Sequence, residues 1–177
     1  MSPATPEALL GFLEELGIAV RTTLHPPVHT VAESRDLKAG LPGGHSKNLF
    51  LKDKRGRLFL VVAEAEARID LKRLHTAVGA TGRLSFGSAE QLLAVLGVRP
   101  GSVTPFGLIN DRERLVTVIL DAGLMAHDPV NFHPLHNAAT LALAPGDLLR
   151  FLAATGHAPR IQALPEPAGA EEAEAAP

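Results

Sequence analysis

The chain has no cysteine, no tryptophan and no tyrosine, and only seven phenylalanines among 177 residues. Without cysteine there are no disulfides, no thiolate metal ligands and no thiol nucleophile, which fits a reducing cytoplasm. So few rings disfavour a nucleic-acid platform of stacked aromatics. No apolar run approaches the ~20 residues of a membrane helix, so no membrane partner is expected. The opening MSPATPEALLGFLEEL lacks a basic n-region and carries acids where a secretory signal would be apolar. A strong excess of either charge is also missing, since 17 Lys and Arg stand against 19 Asp and Glu, a net charge of −2. What remains is a chain that is 46% hydrophobic, too apolar for wholesale disorder and long enough for one domain that needs no staples.

The charge is unevenly placed. From Arg35 to Arg99 there are 12 Lys and Arg against 6 Asp and Glu, which is either a solvated surface or a face for a polyanion. The last thirteen residues, PEPAGAEEAEAAP, hold four Glu and no base. They read as a disordered acidic tail, so the expected domain is 1–164 and the tail 165–177.

Helical spacing of Leu9, Leu10, Leu13 and Leu16, with Thr5 as cap, Pro6 in the first turn and Gly17 beyond, predicts a helix over 5–16. A strand follows over 18–24, and Thr30 with Glu33 fits a capping box opening a helix to about Ala39. Strands over 48–52 and 58–63 flank Asp53-Lys54-Arg55-Gly56, a hairpin signal. Asp70 and Ser88 cap two further helices that end before Gly79 and Gly97. Strands over 115–120, 131–134 and 140–143, a helix over 146–155 and a last strand over 160–164 complete the pattern. The expected class is a single compact α/β domain with a mixed, curved central sheet flanked by helices.

Several chemistries have no sequence basis. There is no G-x-G-x-x-G after a strand, no G-x-S-x-G elbow, and GLPGGHSK lacks the G-K-[ST] ending of a phosphate loop. The histidine pairs 25/29 and 133/136 are interrupted by proline, which prevents a shared helix face for metal. No metal and no cofactor are expected.

Three segments carry the functional signal: Gly44-His45-Ser46-Lys47-Asn48-Leu49-Phe50-Leu51-Lys52-Asp53-Lys54, Gly101-Ser102-Val103-Thr104-Pro105-Phe106-Gly107-Leu108-Ile109-Asn110-Asp111, and Asn131-Phe132-His133-Pro134-Leu135-His136-Asn137-Ala138-Ala139-Thr140. In order and spacing they resemble the bacterial prolyl-tRNA editing family. This comprises the YbaK-like proteins, the editing domain inserted in many bacterial prolyl-tRNA synthetases, and the free-standing ProXp-ala (PrdX) branch, which is the most similar. The resemblance implies a YbaK-like fold with a barrel-like mixed sheet. It also implies trans-hydrolysis of the ester in alanyl-tRNA(Pro), without metal. Cysteinyl- or seryl-tRNA deacylation, or a non-catalytic tRNA- or synthetase-binding module, are the alternatives. The implied partner is the acceptor end of tRNA(Pro), with prolyl-tRNA synthetase or an elongation factor beside it, and no DNA.

Lys47 leads into an apolar strand, so it is either a surface flank or a cation aimed at a cleft; the resemblance implies the second. Alternation sends its neighbour Asn48 to the opposite face of a regular strand. Gly101-Ser102-Val103-Thr104-Pro105 is either a plain turn or a loop aiming backbone amides at a carbonyl oxygen; the family's G-x-x-x-P loop implies a pocket. His133 matches the family histidine and can orient water or a hydroxyl. Lys47, Gly101 and His133 are thus the expected catalytic set. Asn48, Ser102, Val103, Thr104 and Pro105 are expected against substrate, with Phe50 and Ile109 as apolar walls. Lys52, Lys54, Arg55 and Arg57 of the hairpin, with Arg83, are expected to grip tRNA phosphates.

Overall fold

A computed structural model of the chain describes residues 2–168. Residues 169–177, most of the expected acidic tail, lie outside the described residues. Pro165, the first residue of the expected tail, is held to the fold: its carbonyl accepts from Asp70 N–H at 2.8 Å.

The order is α1 (Pro6–Glu15), β1 (Arg21–Leu24), α2 (Val31–Ala39), β2 (Gly44–Lys52), β3 (Leu58–Glu64), α3 (Leu71–Val78), β4 (Ser85–Phe86) and α4 (Ala89–Leu96). A 3₁₀ helix (Pro105–Asn110), β5 (Val116–Asp121), α5 (Ala122–Met125), β6 (Val130–Phe132), β7 (Ala139–Leu143), α6 (Pro145–Ala154) and β8 (Arg160–Gln162) follow. The eight strands form one mixed sheet in the order β1-β7-β6-β2-β3-β5-β8, with β4 added on β2. β2 and β3 are antiparallel, and β3–β5, β5–β8 and β2–β6 are parallel. The expected class holds, with β1 and β8 at the two ends of the strand order.

The central strand explains its own sequence. Leu58 to Ala63 is an unbroken apolar run because both faces of β3 are covered. Leu58, Leu60 and Val62 join the larger core, built with Leu9 and Leu13 of α1, Leu92 and Leu96 of α4, and Leu148, Phe151 and Leu152 of α6. Phe59 and Val61 join the smaller core on the other face, with Leu74 and Val78 of α3. Phe106 meets Phe132 and Phe151 edge-on at centroid distances of 6.0 and 5.2 Å, the favoured geometry for aromatic pairs. The predicted caps are in place: Thr30 and Ser88 complete capping boxes, and Thr5 and Asp70 accept from the first turns of α1 and α3.

β2 starts at Gly44, earlier than the apolar pattern predicts, because Gly44 and His45 pair with Val130 and Asn131 of β6. That approach needs glycine. Gly43 has φ +98°, and a Cβ on Gly44 would lie 2.8 Å from the His127 side chain. At its far end β2 pairs with β4 through Leu51 and Lys52. Between these partners the edge of β2 opposite β3 carries no ladder, and the sheet parts there.

Candidate functional site

Beside the parted sheet lies a hollow of about 200 Å³, smaller than the roughly 300–1,000 Å³ of a drug-sized ligand pocket. Ser46 and Asn48 of β2, Gly101 of the 99–104 loop, and Phe132 and His133 after β6 reach it together. Segments distant in the sequence thus converge, and all three motifs contribute residues.

Asn48 and Ser46 share a strand face. Asn48 Nδ2 donates to Ser46 Oγ at 3.2 Å, and Ser46 Oγ donates to the Asn131 carbonyl at 3.3 Å. Asn131 Nδ2 donates to the carbonyls of Pro42 and Gly44, both at 3.0 Å, tying β6 to the start of β2. Asn48 Oδ1 is buried with no partner. Leaving a buried acceptor unpaired costs about 1–3 kcal/mol, so this oxygen marks a place where a donor belongs.

His133 Nδ1 lies 3.3 Å from the Ala139 carbonyl. A carbonyl only accepts, so Nδ1 carries the proton and Nε2 keeps its lone pair. Burial lowers the His133 pKa below its ordinary 6.5; the Ala139 bond works against this, and the positive charge of His25, His136 and Lys38 adds to it. The imidazole is therefore a neutral acceptor at pH 7. Gly101 has φ +90° with open space around the position of a Cβ. Its requirement for glycine is conformational rather than steric.

Other expected residues stand elsewhere. Lys47 is on the opposite strand face from Asn48 and does not line the hollow; its ammonium donates to the Ala67 carbonyl. Alternation along a regular strand is the reason. Of the Gly101–Pro105 loop only Gly101 reaches the hollow. Ser102 N–H closes a turn onto the Arg99 carbonyl at 3.0 Å, so it cannot join a row of donors. Thr104 is 0% exposed and accepts from Phe106 N–H to cap the 3₁₀ helix, with Pro105 buried at its first position. Val103 and Ile109 pack on the larger core. Phe50 is 4% exposed, in that core beneath Gly87. Neither Phe50 nor Ile109 is a wall of the hollow; the apolar walls are Val28, Leu37, Leu41 and Phe132.

Much of that wall comes from α2, which the motifs do not include. Ser34, Leu37, Lys38 and Leu41 all line the hollow. Ser34, Leu37 and Lys38, three and four apart, share one face of the helix, and Leu41 follows its C-cap Gly40; the first three are a signal present in the sequence once the Thr30 cap fixes the helix. Lys38 brings a cation to the site. Among the described residues no group of three His, Cys, Asp or Glu is arranged to hold a metal. His25 is bonded to the Pro26 carbonyl and Thr140 Oγ1, and His45 to the Leu41 carbonyl.

The expected tRNA-gripping residues gather at the far end of β2. From Ser46 to Lys52 is six strand residues, roughly 20 Å. Arg57 holds the hairpin: its Nε pairs with Asp53 Oδ2 at 2.9 Å, and its Nη2 donates to the Gly79 carbonyl and Thr81 Oγ1. Burial opposes ionisation of Asp53. Hydrogen bonds from Thr81, Arg57 and Arg55 outweigh it and hold the carboxyl at about 2. The Lys54 stem packs on Gly82, which places the hairpin beside the residue preceding Arg83.

Among the described residues, no helix is long and apolar enough to cross a membrane. The aminoacyl-tRNA editing domain model matches residues 25–151. A zebrafish (Danio rerio) protein named prolyl-tRNA synthetase associated domain-containing protein 1 is 42% identical over 152 residues, covering 85% of this chain and 82% of that protein. The prolyl-tRNA editing protein ProX of Acetoanaerobium sticklandii is 38% identical over 152 residues, 85% of this chain and 92% of its own length. A crystal structure proposed to be a trans-editing enzyme for prolyl tRNA synthetase superposes with a TM-score of 0.70 at 21% identity, covering 94% of this chain and all of that one. With a hollow joining its three motifs and relatives matched along most of its length, the chain belongs to the aminoacyl-tRNA editing domain family, the YbaK- and ProX-like proteins.

Proposed function

We propose that the protein is a cytoplasmic trans-editing deacylase that hydrolyses the ester of alanyl-tRNA(Pro) without a metal ion. The observation that carries this reading is the unpaired, buried Asn48 Oδ1 on a small hollow shared with Gly101 and His133. An esterified amino acid brings an α-ammonium, which is the donor Asn48 Oδ1 lacks. Its carbonyl oxygen lies toward the Gly101 peptide, where oxyanion stabilisation depends on one loop residue rather than on a row of amides. His133 Nε2 accepts a hydrogen from the attacking water or from the neighbouring ribose hydroxyl. The water oxygen bonds to the acyl carbon, the acyl-to-ribose C–O bond breaks, and the proton ends on the ribose oxygen. Free alanine and free tRNA leave.

Size supports alanine. A synthetase pocket sized for proline discriminates against smaller side chains by only ~1–3 kcal/mol per methylene, so a second site that admits alanine and rejects the larger ring completes the selection. Lys47 contributes from beyond the rim: its partner Ala67 follows Ala65 and Glu66, which line a cleft adjoining the hollow. Lys52, Lys54, Arg55, Arg57 and Arg83 contribute backbone grip at a distance.

The test is deacylation of tRNA(Pro) charged with alanine, serine, cysteine or proline, with and without EDTA. Alanine is released at least about 100-fold faster than proline, EDTA changes nothing, and Lys47→Ala slows the reaction. Hydrolysis of none of the four removes the enzyme in favour of a binding module. Loss of activity in EDTA restores a metal, and full activity of Lys47→Ala removes its contribution from beyond the rim.

The pH profile is a separate expectation. A neutral His133 with a lowered pKa gives a kcat/KM that is flat through pH 7 and falls on acidification only below 6.5. An acid limb with its midpoint at or above 6.5 contradicts the role of burial.

A further inference from the structure

A second cleft of about 370 Å³ adjoins the hollow for the amino acid beside α2, and the two share Val28, Ser34 and Lys38. The second cleft adds Arg35, His29 and Thr30 from the α2 side, and Ala65 and Glu66 from the loop after β3. Arg35 and Lys38 are three apart on α2 and therefore neighbours on its surface. Among the described residues neither forms an ion pair. Among the described residues Glu66 is the one carboxylate lining the cleft, so two cations stand against one anion there. The Glu33 carboxylate is engaged with His29 N–H and Thr30 N–H at the helix start.

A lysine without an ion pair where two cavities adjoin, with an arginine one turn away and Ser34 and Thr30 beside them, is a seat for an oxyanion. We propose that this cleft binds the 5′-phosphate of the nucleotide whose ribose carries the amino acid, with Lys38 and Arg35 as positioning residues. The inference rests on the editing reading. If the aminoacyl group fills the hollow, the ribose stands at its mouth and the phosphate on the sugar's far side falls against Lys38. The two cations then act on substrate placement: the phosphate anchors the ribose so that the ester carbonyl lies at Asn48 and His133.

The test compares the alanyl ester of adenosine with the alanyl ester of adenosine 5′-monophosphate, in the full chain and in Lys38→Ala, Arg35→Ala and Lys38→Arg. The phosphorylated substrate has the higher kcat/KM in the unaltered protein, through KM, by about ten-fold. That preference falls toward one in Lys38→Ala and Arg35→Ala and returns in Lys38→Arg. A preference that is absent, or unmoved by both alanine variants, overturns the proposal. Binding of adenosine 5′-monophosphate against adenosine, followed by titration calorimetry, needs no turnover. Tighter Lys38-dependent binding of the monophosphate in a protein that deacylates no tRNA sinks the editing function and keeps the subsite. Active editing with equal binding of the two sinks the subsite alone.

Discussion

Asn48→Leu lowers kcat/KM for alanyl-tRNA(Pro) by about 10- to 100-fold while leaving the melting temperature unchanged or raised. A hydrogen bond to a charged group contributes about 1.5–3 kcal/mol, and each 1.4 kcal/mol is a factor of ten. The α-ammonium is such a group. Loss of the amide costs the fold little, because Oδ1 has no partner to lose and leucine keeps the branched shape. The one bond removed is Nδ2 to Ser46 Oγ, and that hydroxyl still donates to the Asn131 carbonyl. A structural asparagine behaves in the opposite way. Deacylation kinetics and thermal unfolding on the same sample separate the two: a melting point lowered by several degrees with full activity refutes the substrate role.

Asp111→Ala unfolds the protein far more easily, by about 3–5 kcal/mol, the cost of removing one partner of a buried pair. Asp111 Oδ2 accepts from His157 Nε2 at 2.9 Å, and the carboxylate also accepts from Leu115 and Val116 N–H, both at 3.0 Å. His157 Nδ1 meets Thr155 Oγ1 at 2.9 Å, and that hydroxyl donates to the Leu152 carbonyl. The imidazole thus bridges the Asp111 carboxylate and the Thr155 hydroxyl, 2% exposed against 1% for the Asp111 side chain. The pair fastens the end of α6 to the entry of β5. With total stabilities of about 5–15 kcal/mol and about 2–4 °C per kcal/mol at this length, the melting temperature falls by about 6–20 °C. A loss below about 1 kcal/mol in denaturant unfolding refutes the assignment. The pair also sets an acid limit. Burial works against the Asp111 carboxylate, but the His157 and backbone bonds outweigh it and lower its pKa from 3.8. Its stabilisation is present above 3.8 and is lost as pH falls through the lower folded value. Asp111→Ala lacks that loss.

The elements legible in the sequence were those with local causes. Thr5, Thr30, Asp70 and Ser88 each cap the helix they precede, because a cap acts over three residues. The hairpin at Asp53–Gly56 is equally local. Elements with no local cause escaped. β4 is two residues with Phe86 60% exposed, too short for any period, and exists only through pairing with Leu51 and Lys52. α5 is a single turn of four residues, too short to show a helical period even with Asp121 as its cap. The predicted strand over 18–24 begins only at Arg21, because Gly17 turns left-handed and Ile18 N–H closes the end of α1 onto Leu13.

The sequence by itself determined the segments: which runs are helices, which are strands, and that Asn48, Gly101 and His133 sit in the three motifs that resemble the editing family. Only the tertiary structure decided which side of each segment faces the hollow. Lys47 and Asn48 are adjacent, yet the pairing of β2 with β3 and the cover on each face send one to the Ala67 carbonyl and the other to the cavity. The α2 wall and the Asp111–His157 pair, 46 residues apart, arose in the same way. Periodicity and capping are set by neighbours a few residues along the chain, whereas a cavity and a buried ion pair are made by elements that meet only once the chain has closed on itself.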